Sequence, residues 1–224
     1  MGALLRLNSV SKTYVEGKNE VRAVDSVSLD LNRGEVLLLM GPSGSGKTTL
    51  LSMMGCILRP TEGEIILDGT VVDHCHEDTL PEIRKRHFGF VFQSFNLFPS
   101  LTAVENIELV LRMKGSARQS LRTDALALLD KVDLLERAYF YPGDLSGGQK
   151  QRIAFARALV GDPPIILADE PTANLDSKRG MEVLKLLKNR AQEHGKAVAV
   201  VSHDPKAETA ADRVIFLEDG RVRQ

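Results

Sequence analysis

The stretch 35-EVLLLMGPSGSGKTTLLSMM-54 decides the fold. Its opening run, 36-VLLLM-40, is apolar at every position, as a strand covered on both faces of a parallel sheet requires. A loop rich in glycine and hydroxyl residues follows, and then a segment of helical character from Lys47. Glycines at 41, 44 and 46 let the backbone curl so that successive N–H groups face inward at a helix N-terminus, a nest for phosphate oxygens. The pattern G-x-x-x-x-G-K-[ST] between strand and helix directs Lys47 to the β- and γ-phosphates of a nucleotide and the Thr48 hydroxyl to Mg²⁺. The cradle therefore comprises Gly41, Pro42, Ser43, Gly44, Ser45, Gly46, Lys47, Thr48 and Thr49.

Outward from this loop the chain alternates. Segments 4–10 and 27–31 read as half-buried antiparallel strands with turn residues at 16–19. Residues 64–69 and 88-FGFVFQ-93 read as further strands. Segments 102–115 and 120–132 instead carry apolar residues at helical spacing, with no strand-like run between them. Strand–helix alternation resumes at 164–170, with a helix near 177–193, a strand at 197–202, a helix near 205–211 and a strand at 213–220. These features predict a single α/β unit spanning 1–224: a P-loop NTPase core with a mostly parallel sheet, an N-terminal antiparallel β subdomain and an inserted α-helical subdomain. The core covers about 1–93 and 163–224, and the insertion about 94–162.

Two further motifs carry chemistry. The run 165-IILADE-170 delivers two carboxylates at a strand end. Asp169 is placed to hold Mg²⁺, and Glu170 points elsewhere, toward the proton of an attacking water. The segment 145-LSGGQ-149 precedes the helical run 150-KQRIAFARALV-160. Ser146, Gly147, Gly148 and Gln149 thus form a second anion site at a helix N-terminus, this one without a lysine.

With this signature between the P-loop and the strand-end carboxylates, the chain resembles the ATP-binding-cassette (ABC) ATPases from about residue 4 to 223. The resemblance implies further roles. Gln93 matches the glutamine that touches Mg²⁺, His203 in 201-VSHD-204 the histidine that contacts the γ-phosphate and orients Glu170, and Tyr14 the aromatic that stacks on adenine. In 174-NLD-176, Asp176 matches the residue that reaches the other subunit; Ala173 stands where close relatives often carry Gly. The resemblance also implies a head-to-tail dimer with a second copy, each ATP lying between one P-loop and the other signature.

Segments 55–69, 96–109 and 169–177 are similar to the branch that serves macrolide export and lipoprotein release. That likeness implies an integral membrane permease as partner, a cytoplasmic place on the inner face of the membrane, and Phe95, Leu97 and Phe98 either as a groove for a segment of the partner or as core of the insertion. The alternative is a soluble ABC ATPase of translation or DNA repair. Such proteins carry paired cassettes or long coiled-coil insertions, neither of which is visible here.

Composition narrows the field further. A formal net charge of −1 gives no global field for nucleic acid or anionic lipid. No apolar run approaches the ~20 residues that span a bilayer, and the start MGALLRLNSV has no signal-type apolar region. Two cysteines at no zinc or redox spacing suit a reducing compartment. The cluster 73-DHCHED-78 invites a metal reading but lacks a second ligand pair, so a solvated loop is expected. Lys150, Arg152 and Arg157 are expected on a solvated or dimer-facing helix.

Overall fold

The computed structural model describes residues 2–17, 19–72 and 77–223. Strands β1 (Leu5–Glu16), β2 (Asn19–Leu31), β4 (Glu62–Leu67) and β5 (Thr70–Val71) make an antiparallel sheet in the order β2-β1-β4-β5. A second sheet has the order β10-β9-β3-β8-β7-β6, from β3 (Val36–Met40), β6 (Phe88–Val91), β7 (Ile165–Asp169), β8 (Ala197–Val201), β9 (Arg213–Glu218) and β10 (Arg221–Arg223). Within it β9, β3, β8, β7 and β6 run parallel, and β10 pairs antiparallel on the edge.

The unbroken apolar runs have a structural cause. Side chains alternate between faces along a strand, and both faces of this sheet are covered. Val36, Leu38, Ile166, Ala168, Val198 and Val200 enter one core, together with Ile107, Phe155 and Leu187. Their neighbours Leu37, Leu39, Ile165, Leu167, Ala199 and Val201 enter the other, with Leu50, Met54 and the inner face of the antiparallel sheet. The helices behind these contacts are α1 (Lys47–Met54), α2 (Leu80–His87), α3 (Ala103–Met113), α4 (Leu121–Asp130), α5 (Gly147–Ala158) and α6 (Ser177–His194).

Between β6 and β7 the described chain contains helices and turns only. Helix α3 begins with a capping box: the Thr102 hydroxyl accepts the N–H of Glu105, whose carboxylate accepts the N–H of Thr102. One turn on, Asn106 is fully buried. Its Oδ1 accepts the Phe98 N–H at 2.8 Å, and its Nδ2 donates to Phe98 O, Leu101 O and Thr102 O at 3.2, 3.0 and 3.0 Å. This one side chain holds the loop that links β6 to α3. Asn106→Leu is expected to lower stability by about 2–4 kcal/mol in a denaturant titration, because several buried loop backbone groups lose their partner.

The helix expected near 205–211 is a 3₁₀ helix (Pro205–Ala210), capped by the Asp204 carboxylate on Lys206 N. Two expectations are corrected. Strand β6 ends at Val91, so Phe92 and Gln93 leave the sheet. Arg157 is buried, not solvated, and its guanidinium donates to the carbonyls of Phe95 and Asn96, where it replaces water for a tight turn. Most of the 73–78 cluster lies outside the described residues, and no metal-type group of acidic, His or Cys side chains occurs among those described.

Candidate functional site

Parallel strands end on one edge of their sheet, and connections at that edge gather residues far apart in sequence. Here β3, β8 and β7 are adjacent, with Leu39 opposite Val201 and Asp169 also opposite Val201. The glycine loop leaves β3, the two carboxylates leave β7, and His203 leaves β8. Residues 41–49, Gln93, Glu170 and His203 line a cavity of about 510 Å³ there, and Asp169 lies outside its wall.

The loop is held open by sterics and closed by one cation. Gly46 has φ 95°, and a Cβ there would lie 2.1 Å from the carbonyl oxygen of Ala23, so only glycine lets the loop sit against β2. Lys47 is 7% exposed, and its ammonium donates to Gly41 O and Pro42 O at 2.8 and 2.7 Å. The loop is thereby folded around the amine that its motif assigns to phosphate. The N–H groups at the start of α1 add the positive end of the helix dipole.

Thr48 Oγ1 donates to Asp169 Oδ1 at 3.2 Å. Burial pushes the Asp169 carboxyl above its ordinary value, and the neighbouring Glu170 adds to the rise against the Thr48 bond and the Lys47 charge. Glu170 adopts φ 46°, a left-handed conformation that is strained for a residue with a Cβ. That turn sends its side chain away from Asp169. Oε1 lies 2.7 Å from His203 Nδ1, and Oε2 is buried with no hydrogen-bond partner among the described residues. With Glu170 ionised, His203 Nδ1–H is the donor and Oε2 remains a free acceptor.

The signature lies apart. Ser146 caps α5 in a second capping box: its hydroxyl accepts Gln149 N–H and its own N–H donates to Gln149 Oε1. Gln149 is therefore engaged locally. None of residues 146–149 lines the cavity around Lys47, and Asp176 does not either. Tyr14 is likewise outside that wall, partly exposed on β1 with the Lys12 ammonium 5.6 Å above its ring.

One contact had no signal in residue spacing: Asn174 Nδ2 donates to the Gln93 carbonyl at 2.9 Å across 81 positions. An apolar cavity of about 610 Å³ lies next to Phe95, Leu97 and Phe98, walled by Phe88, Phe90, Phe92, Val110 and Met113, with Glu82, Arg84, Lys85, Lys114 and Arg157 also lining it. Leu97 packs on the core, and Phe98 is half exposed outside the cavity.

A family model described as ABC transporter matches residues 24–173. An uncharacterized ABC transporter ATP-binding protein, MJ0796 of Methanocaldococcus jannaschii, is 46% identical over 99% of this chain and 96% of its own length. The macrolide export ATP-binding/permease protein MacB of Photorhabdus laumondii is 41% identical over 99% of this chain, which spans only 34% of that longer protein. Among solved structures, a dimeric post-hydrolysis state of the MJ0796 cassette bound to ADP and Pi superposes with a TM-score of 0.92 at 45% identity, covering 98% of this chain and 97% of that one. The cbiO1 protein of Clostridium perfringens, part of the ABC transporter complex cbiONQ, gives 0.87 at 27% identity over 100% of this chain and 88% of its own. Cradle, carboxylate pair and signature turn thus occur together on a fold shared along nearly the whole chain with ATP-binding cassettes, and the chain belongs to the ABC transporter family as an ATP-binding, ATP-hydrolysing unit.

Proposed function

We propose that two copies of this chain pair head to tail and power an integral membrane permease, with each ATP held between the P-loop of one copy and the signature of the other. The observation that carries this reading is a separation: the cavity with Lys47, Gln93, Glu170 and His203 lacks the signature turn. A second copy related by a two-fold axis supplies the missing turn to both cavities at once. In this reading residues 94–162 form the helical subdomain that presents the signature.

In this reading the residues divide the work as follows. The nest at 41–46 and Lys47 bind the β- and γ-phosphates, and Tyr14 takes adenine when the tip of β1 meets nucleotide. Thr48, Asp169 and the Gln93 amide are hard oxygen donors that suit Mg²⁺, and a cation relieves the desolvated Asp169 carboxylate. Mg²⁺ would supply charge neutralisation on the phosphate oxygens there. Glu170 Oε2, buried and free, accepts the proton of a water as its oxygen bonds to the γ-phosphorus; the bridging P–O bond breaks and ADP leaves. His203 holds Oε1 and thereby aims Oε2.

Among the described residues no helix is long and apolar enough to cross a membrane, so a separate chain or segment would provide the pathway. The apolar cavity, with charged residues at its edge, suits the docking of that partner. We infer a place on the inner face of the cell membrane, and the likeness to MacB favours an export or envelope-related complex.

Light scattering of Glu170→Gln tests the pairing. A monomer that doubles its mass only with Mg-ATP is expected. A monomer under both conditions sinks the composite site, and a dimer without nucleotide sinks the role of ATP in assembling it.

A further inference from the structure

The signature turn is clasped by the loop at 173–176. A Cβ on Gly147 would lie 3.1 Å from the Asn174 carbonyl oxygen, and one on Gly148 would lie 2.7 Å from Arg179 Cδ. Gly148 is buried under that stem, while Ser146 beside it is exposed. Arg179 grips the other side of the clasp as well: its backbone N–H donates to Asp176 Oδ1 at 3.0 Å, and Nη1 lies 3.3 Å from Asp176 Oδ2. At its near end the same loop reaches the nucleotide cavity through Asn174 and the Gln93 carbonyl.

Local stability does not account for this arginine. It sits in the first turn of α6, where the helix dipole disfavours a cation, and the one acid that faces it is the N-cap Asp176. Its side chain is 54% exposed and that of Asp176 55%, and such an exposed pair adds little to the stability of one chain. What Arg179 does is join two segments that the head-to-tail reading turns toward the second copy.

We propose that Arg179 is a positioning residue of the composite site, locking the 173–176 loop and the signature turn into one unit so that engagement of Gln93 by nucleotide sets the face offered to the other copy. This rests on the head-to-tail reading above. The stem fixes Gly148, and the guanidinium fixes the Asp176 carboxylate. Because the cap on Asp176 comes from the backbone N–H of residue 179, it survives any side-chain change except proline.

Arg179→Met keeps a stem over Gly148 and removes the charge, whereas Arg179→Lys keeps both a stem and a charge. Each is placed in the Glu170→Gln chain and titrated with Mg-ATP by light scattering, with binding of a fluorescent ATP analogue to the monomer as control. For Arg179→Met, the ATP concentration at half-dimerisation is expected to rise about tenfold, since each of the two copies must then order its loop on pairing rather than before it. Monomer binding and thermal midpoint should not move, and Arg179→Lys should recover most of the shift. Without the Glu170 change, Arg179→Met should lower kcat. Dimerisation of Arg179→Met at the parent ATP concentration overturns the inference, as does Arg179→Lys behaving like Arg179→Met. Failure of Glu170→Gln itself to dimerise overturns the head-to-tail reading and this inference with it.

Discussion

Glu170→Gln lowers the rate of phosphate release by about 10²–10⁴-fold, the usual worth of a positioned general base, and leaves ATP binding intact. The substitution is nearly isosteric. The amide oxygen still accepts from His203 Nδ1, which now lies 2.7 Å from Oε1. The amide nitrogen takes the place of Oε2, and an NH₂ group cannot accept a proton. The phosphate contacts of Lys47 and the glycine loop are untouched, so the affinity for ATP is unchanged while its consumption stops. Stability is expected to hold or rise, because a carboxylate oxygen buried without a partner is replaced by a neutral group. A phosphate-release assay beside calorimetric ATP titration and a thermal melt checks all three points. Turnover within tenfold of the parent chain would remove Glu170 as the base and leave the site with a positioned water alone.

Lys47→Ala acts at the other end of the reaction coordinate. It is expected to weaken ATP binding by about 10²-fold, in line with the loss of charge-assisted hydrogen bonds to phosphate and of the loop's own brace. The second contribution follows from the fold: the ammonium bridges Gly41 O and Pro42 O, and its removal takes the side-chain donor from both, leaving Pro42 O with the Ser45 N–H alone. The thermal midpoint should therefore fall as well, with a loss of about 1–3 kcal/mol. Lys47→Arg separates the two effects, because it keeps the charge but carries a planar fork that does not fit between the two carbonyls. Unchanged ATP affinity in Lys47→Ala, measured by calorimetry, would dismiss the phosphate role.

The two variants fail differently: one binds as before but turns over slowly, and the other binds weakly. That contrast separates a nucleotide site that performs chemistry from one that only holds ligand.

Much of this is legible in residue order. The runs at 36–40, 165–169 and 197–201 are apolar at nearly every position because each strand is covered on both faces, the setting in which parallel strands occur. The glycine loop is legible for a related reason: closed backbone geometry admits few residues, as the left-handed Gly46 against Ala23 demonstrates. Edge strands β5 and β10 leave no such mark. Thr70–Val71 and Arg221–Arg223 are short and exposed, so no periodic pattern accompanies them. The 3₁₀ helix at 205–210 reads in residue order only as a helix, because local composition does not report which carbonyl a short segment will choose.

The succession of strand, cradle, carboxylates and signature is set by residue order, since each depends on a pattern contained within a few neighbouring residues. Tertiary structure alone decided what meets across distance: Asn174 on Gln93, Arg157 under Phe95 and Asn96, Arg179 over Gly148, and the cavity walled by β6 and α3 beside rather than around Phe98. Such contacts arise where the packing of buried surfaces brings distant backbone together. The polar side chains that bridge those meetings carry no periodicity, because their partners are set by the closure of the whole chain rather than by the residues on either side.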